Sequence, residues 1–382
     1  MMTNTADPRR CNRCIMDSTA SDIWFDALGE CKFCKIHDEM ESHYPLGGLG
    51  SERLQAIVTQ IKKAGKNKHH DCIVGVSGGR DSSYCLLTAV RLGLKPLAVH
   101  FDNGWNTEIA VQNIKSACEI LGVELLTIVA DWEEFKDLQI AFLKSSTPDV
   151  DIPTDFAIYS VLYQAAKSEN IKYILNGHSF RTEGTSPISW TYMDPLYIRS
   201  VLKACGTIKR FKSFPHMTLT RLQYFIWIRR IREVRILEYS EYNKSKVDGI
   251  LKKELNWKDY GGHHHENAFT KFVQSYYLPV KFGIDKRKTE FSALIRSAQM
   301  RREDAVSTVD SSEYGFAQEN VDYVREKLAL TQEEWKSIMA AAPRSNSDFR
   351  SLLPLMRRSK WLIKIVTDLH LLPRILYLKY AS

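Results

Sequence analysis

Two pairs of cysteines, Cys11-Asn12-Arg13-Cys14 and Cys31-Lys32-Phe33-Cys34, are separated by sixteen residues. Each pair closes on one metal from a tight knuckle, and four thiolates favour tetrahedral zinc. With every position taken by sulfur, the site is structural rather than catalytic. A second cluster has the residue types for anion chemistry: Val74-Gly75-Val76-Ser77-Gly78-Gly79-Arg80-Asp81-Ser82-Ser83-Tyr84. Adjacent glycines let the backbone bend sharply and approach a ligand without a Cβ, and the first N–H groups of a following helix face an anion. No Gly-Lys-Ser/Thr follows four residues after the first glycine, so this is not a Walker A loop.

Those residues need a strand before them and a helix after them. Cys72 to Val76 reads as a buried strand and Ser82 to Arg91 has the apolar spacing of a helix, which puts Ser-Gly-Gly at the turn between them. The pattern then alternates: strand Leu97 to Phe101, helix Thr107 to Leu121, strand Val123 to Val129, helices Trp132 to Lys144 and Asp155 to Ser168, strand Tyr173 to Leu175. Strands spaced by helices predict an α/β fold, a parallel sheet flanked by helices, with ligands beyond the carboxyl ends of the strands. Polar residues stand at those ends, in His100-Phe101-Asp102-Asn103-Gly104-Trp105-Asn106 and Asn176-Gly177-His178 through Glu183-Gly184. The carboxylates Asp149, Asp151 and Asp155 precede a helix that Thr154 or Asp155 would cap.

Domains are expected at 1–46 for the four-cysteine zinc module, 51–195 for the sheet, 196–260 for a basic helical insertion and 261–382 for a substrate-contacting, helical C-terminal region. Tyr44 to Gly50 reads as a linker, His37 and His43 as surface residues, and Thr331-Gln332-Glu333-Glu334 as a capping box. In Gly261-Gly262-His263-His264-His265-Glu266, consecutive side chains diverge too much for a single-ion site, so one or two histidines contact substrate or phosphate. Lys281 to Lys288 gathers four cations.

The net charge of +8 is local. Between Leu196 and Ile236 ten basic residues face one acid, Glu233, and the remainder is near neutral, which argues against a general nucleic-acid-binding surface. This basic, partly apolar segment is either a packed amphipathic helix or a surface for a phosphate-rich or acidic partner, and peripheral membrane contact stays open. No uncharged run of membrane-spanning length and no signal-peptide core is present, so a cytoplasmic placement is expected.

The loop Ser77-Gly78-Gly79-Arg80-Asp81-Ser82 resembles the pyrophosphate loop of ATP pyrophosphatases. Taken with the cysteine pairs, Asn176-Gly177-His178 to Glu183-Gly184, Gly261-Gly262 and Lys281 to Lys288, the chain resembles the N-acetyl sugar amidotransferase family of bacterial lipopolysaccharide and O-antigen biosynthesis. The resemblance runs from Cys11 to Ala305 and implies an adenine nucleotide alpha hydrolase-like domain. It also implies ATP-dependent conversion of an acetamido group on a nucleotide-linked sugar, such as a UDP-sugar, into an acetamidino group through an O-adenylyl imidate. ATP, Mg2+ and Zn2+ are the implied cofactors. Ser77, Gly78, Gly79, Ser82 and Ser83 would hold the pyrophosphate, Asp81 magnesium or the loop, and Phe101 and Asp102 the adenosine. Lys286 and Arg287 would stabilise the transferring phosphate, and His178, Glu183 and His264 would contact the sugar nucleotide. The family often has a lysine within Gly-Gly-x-His-x-Glu where this chain has His263, and Arg80 stays unassigned between a solvated and a pyrophosphate-facing side chain.

Ammonia must come from elsewhere. The chain starts Met1-Met2-Thr3 without an N-terminal cysteine, and none of Cys72, Cys85, Cys118 or Cys205 sits in a Gly-x-Cys-x-Gly elbow. A separate glutaminase subunit is therefore expected, and the resemblance implies one of the class I glutamine amidotransferase type, with or without a cyclase-like channel subunit. The rival reading is a zinc-containing tRNA-modifying enzyme of the thiolation type, which would need a further Cys-x-x-Cys after Cys34 that the sequence lacks.

Overall fold

Apolar runs build the strands and amphipathic runs cover them. The structure, a computed structural model, describes residues 8–262, 264–311 and 316–380; Met1-Met2-Thr3 and His263 lie outside these. After α1 (Lys32–His43) and α2 (Gly47–Ala64), the chain alternates through β1 (Cys72–Gly75), α3 (Arg80–Arg91), β2 (Pro96–Asp102), α4 (Glu108–Leu121), β3 (Leu125–Val129), α5 (Trp132–Ser145), α6 (Ile152–Ser168) and β4 (Tyr173–Leu175). A fifth strand, β5 (Arg232–Val234), completes a wholly parallel sheet of order β3-β2-β1-β4-β5. Cys72, Ile73 and Val74 are fully buried, as a central strand covered on both faces requires.

The expected parallel sheet flanked by helices, the N-terminal four-cysteine group and the helical C-terminal region are all present. Three local expectations are corrected. Tyr44 to Gly50 is not a linker throughout, because α2 begins at Gly47 and carries Leu54, Val58 and Ile61 into the core at helical spacing. His37 is not on the surface: it is buried with its ring edge-on to Phe180 at 5.1 Å. The 196–260 stretch is not only a helical insertion, since it also supplies β5, whose Val234 carbonyl accepts from Asn176 N at 2.9 Å. A three-residue strand reading Arg-Glu-Val is too short and too charged to announce itself.

The cysteine sulfurs form a compact buried tetrahedron: Cys11 to Cys34 is 3.8 Å, Cys14 to Cys31 is 3.6 Å and Cys31 to Cys34 is 3.8 Å. Four sulfurs placed at zinc's bond length of about 2.3 Å and at tetrahedral angles lie about 3.8 Å apart, so this group fits that ion. The module is clamped to the C-terminal half. Arg296 donates to Cys14 Sγ at 3.4 Å, Arg302 donates to the Cys11 and Cys14 carbonyls at 3.0 and 3.2 Å, and Ile15 N donates to Ser292 Oγ at 3.2 Å. Among the described residues, no helix is long and apolar enough to cross a membrane.

Lys288, one of the four cations in Lys281 to Lys288, is buried and donates to the fully buried Asp17 carboxylate at 2.5 Å. Removing one member of a buried pair leaves an uncompensated charge. Lys288→Met is therefore expected to lower unfolding free energy by about 3–5 kcal/mol, with Asp17→Asn/Lys288→Met recovering part of that loss. Chemical denaturation checks both, and an unchanged midpoint for the single variant would contradict the clamp.

Candidate active site at the sheet switch point

The sheet runs outward from β1 through β2 to β3 on one side and through β4 to β5 on the other. A crevice thus opens between the carboxyl ends of β1 and β4. Both ends carry polar loops. Gly78 bends the first at φ +77°, where a Cβ would lie 2.2 Å from the Ala110 carbonyl oxygen. Its own carbonyl accepts from Trp257 Nε1 at 3.0 Å and Asn113 Nδ2 at 3.1 Å, so the bend is fixed from outside the loop. Ser77 N and Gly79 N donate to Ser82 Oγ and Ser77 Oγ at 3.1 and 3.3 Å. The loop is a preformed turn of amides and hydroxyls at the N-terminus of α3, suited to phosphate.

Carboxylates and imidazoles then link this loop to the β4 end. Ser77 Oγ donates to Glu266 at 3.3 Å, His264 Nδ1 lies 3.6 Å from Glu266, and His264 Nε2 lies 4.0 Å from Glu183. His178 Nδ1 bonds Glu183 at 2.6 Å, while Tyr242 OH donates to Asp81. Burial first, and then Glu183, push Asp81 up to about 7. Burial would raise Glu183 as well, but the His178 and His264 imidazoles outweigh it and hold that carboxyl well below the usual range. Against the opposing effect of burial, Glu266, Glu183 and Asp81 raise His264 to about 9, so at neutral pH it is an imidazolium. Asp81 and Glu183 are the hard oxygen donors that magnesium takes beside phosphates, and a dication would relieve their mutual repulsion.

A second group faces the same crevice. Lys286 donates to Ser186 Oγ at 2.9 Å; burial, and then Lys379, lower its amine to about 8 despite Asp155, Asp151 and Glu183. Lys379 donates to the Thr191 carbonyl at 3.2 Å, and burial lowers it to about 8 as well. Asp155 opens to solvent within the crevice, yet surrounding protein and then Asp151 push it up to about 7. Neither Thr154 nor Asp155 caps α6: Asp151 occupies the cap position, accepts from Thr270 Oγ1 at 2.7 Å, and makes no capping bond.

Residues 266–360 match the family model described as LPS biosynthesis protein WbpG-like, C-terminal domain. The chain carries a WbpG-like domain. That match bears out the family resemblance drawn from the motifs. No curated protein matches the chain. Among solved structures, the U34-tRNA thiolase NcsA from Methanococcus maripaludis is 12% identical, with 90% of this chain and 91% of that one covered at a TM-score of 0.30. The NH3-dependent NAD synthetase from Campylobacter jejuni is 15% identical over 67% of this chain and 96% of that one, at 0.28. An NMN synthetase from Francisella tularensis is 16% identical over 57% and 95%, also at 0.28. Likeness this loose assigns no chemistry.

The WbpG-like domain brings Glu266 to the Ser77–Ser82 loop and Lys286 to Ser186, both of which lie outside it. Of the residues expected at the site, Ser77, Gly78, Gly79, Asp81, Ser82, His178, Glu183 and His264 come together directly. Ser83 is buried in the first turn of α3. Asp102 accepts from Gly104 N at 2.9 Å and Asn106 Nδ2 at 3.2 Å at the end of β2, and Phe101 lines a cavity of about 120 Å³ with Ile128, Phe135, Val161 and Phe214. Arg287 is tied to Asp285 at 2.7 Å in its own turn. Arg80 is neither solvated nor turned to the phosphate position: it pairs with Asp248 and lies over the Trp257 ring at 6.0 Å. Sequence reasoning missed Tyr242, Trp257, Asn113 and Lys379, none of which stands in a recognisable motif. Glu266 could have been found, since it closes the Gly-Gly-x-His-x-Glu run.

Gly78→Ala forces a left-handed Cβ against backbone and should weaken pyrophosphate binding by more than about tenfold, measured by calorimetry. The His264 proton is held more tightly folded than unfolded, so its stabilisation is full below the free value near 6.5 and fades as pH rises through about 9. Glu266→Gln removes one of the carboxylates responsible. NMR titration of the His264 ring should then show its midpoint falling from about 9 toward the free value, and no movement would separate the two residues.

Proposed function

We propose that this chain is an ATP-dependent amidotransferase, a C–N bond-forming enzyme of lipopolysaccharide or O-antigen biosynthesis that converts an acetamido group on a nucleotide-linked sugar into an acetamidino group. The observation that carries this reading is the junction of the Ser77–Ser82 loop, through Glu266, with His264 and Glu183 at the edge of a WbpG-like domain. An amide carbonyl is a weak electrophile whose oxygen leaves only once activated. The acetamido oxygen attacks the α-phosphorus, that P–O bond forms, and the bond to the β-phosphate oxygen breaks with its electron pair, giving an O-adenylyl imidate and pyrophosphate. Ammonia adds to the imidate carbon, loses a proton, and AMP departs with the former amide oxygen.

The protein contributes position and charge. Loop amides and serine hydroxyls receive the departing pyrophosphate, with Asp81 and Glu183 as the residues that would hold magnesium, whose chemistry is to neutralise phosphate oxygens. Imidazolium His264 and the Lys286 and Lys379 amines offset charge at the α-phosphate. Asp155, poised near neutrality, accepts the proton that ammonia sheds.

Ammonia itself comes from a separate glutaminase subunit. Four of the eight cysteines belong to the N-terminal tetrahedron, and Cys72, Cys85 and Cys118 are buried with thiols raised by that burial. Cys205, half-buried, is raised likewise. None has the setting of a glutaminase nucleophile, nor of the persulfide carrier that tRNA thiolation requires.

The purified chain, given ATP, magnesium and ammonium salts, should release pyrophosphate only when a suitable UDP-acetamido sugar is present, and mass spectrometry should show oxygen replaced by NH. Glutamine should not substitute until the partner is added. Lys286→Met should lower kcat on the order of 10²-fold with the fold intact. Unchanged sugar masses across a broad panel, or glutamine use by the chain alone, would sink the respective halves of this reading.

A further inference from the structure

Where the matched domain ends, the helix Lys360–Asp368 turns its apolar side outward. Trp361, Leu362, Ile365 and Leu369 are 65%, 46%, 46% and 55% exposed. At 3.6 residues per turn these four fall within an arc of about 100°. Thr367, fully buried, lies on the opposite side, so the stripe points directly away from the protein body. Leu355, in the preceding helix Leu353–Arg358, adds a fifth apolar side chain, 53% exposed.

Charge around the stripe is mainly positive. From Arg350 to Thr367 there are five cations, Arg350, Arg357, Arg358, Lys360 and Lys364, and no acid. All five are exposed, and among the described residues only Lys364 is joined to an acid, Asp368 at 2.9 Å, which Arg374 also pairs with. A tryptophan with aliphatic residues on one side of a short helix, lysines along one flank and arginines in the preceding helix suit an interface that is apolar below and anionic above. A protein partner would need an acidic rim around an apolar groove, whereas an anionic bilayer presents that combination everywhere.

We infer that the Leu353–Leu369 segment docks the enzyme on anionic lipid, with Trp361, Leu362, Ile365 and Leu369 entering the headgroup boundary and Arg357, Arg358 and Lys360 meeting lipid phosphates. Docking is peripheral, since no helix among the described residues can cross a bilayer. It would hold the active site beside a membrane without involving any residue of the site.

The test is co-sedimentation of the full chain with phosphatidylcholine vesicles, with and without phosphatidylglycerol, at low and high salt. Binding is expected only with phosphatidylglycerol, and it should weaken as ionic strength rises. Trp361→Ser/Ile365→Ser should reduce the partition coefficient at least about tenfold, from the lost apolar insertion. Arg357→Glu/Arg358→Glu should abolish the lipid dependence. Because these side chains face outward, melting temperature should stay unchanged in each variant. Absence of vesicle binding, binding insensitive to both double substitutions, or a concentration-dependent dimer that Trp361→Ser/Ile365→Ser dissolves while vesicles are ignored would each overturn the inference, the last by giving the stripe to a second copy.

Discussion

A loop shaped for an anion is ringed here by carboxylates, and the rest of the structure is organised around that conflict. Asp81, Glu183 and Glu266 crowd the ends of β1 and β4, where burial makes each negative charge costly. The fold answers with nitrogen groups drawn from distant stretches: the His178 ring beside β4, His264 before the WbpG-like domain, Lys286 within it and Lys379 beyond it. Arg80 completes the pattern from the loop's outer side, where Asp248 and the Trp257 ring anchor it and so steady the turn without contacting phosphate.

The same economy governs the N-terminal module. Its Cys14 sulfur accepts from Arg296, and its Cys11 and Cys14 carbonyls are gripped by Arg302, so the module's electron-rich atoms meet arginines on helices from the other half of the chain. Asp17 with Lys288 repeats the arrangement in a buried pair. The module therefore braces the region from which Lys286 reaches the crevice, through Ile15 on Ser292 and Asp17 on Lys288.

Local signals in the chain were strong where one residue type has one use. The cysteine spacing, the Ser-Gly-Gly turn, the strand and helix alternation and the Thr331 capping box each depend on neighbours in sequence, and each is seen in place. Contacts between elements were not legible. Nothing in Trp257 or Asn113 announces that both hold the Gly78 carbonyl, and nothing in a charged tripeptide such as Arg232-Glu233-Val234 announces an edge strand. His37 misled because a histidine on a polar helix reads as surface, whereas Phe180, from a loop far along the chain, covers it. Arg80 misled for a related reason: its partner, Asp248, belongs to a helix whose placement no local pattern reveals.

Lys379 sits in the last helix described, while the sheet whose crevice it borders is made early in the chain. Long-range contacts of this kind close slowly, and domains form from the N-terminal end during synthesis. The nascent sheet can therefore assemble with its phosphate turn in place while the crevice still lacks Glu266, Lys286 and Lys379. Until the helix that carries Lys379 has been made, Asp155 has one neighbouring lysine rather than two, so the electrostatics on the Lys286 side of the crevice are set only after the phosphate turn.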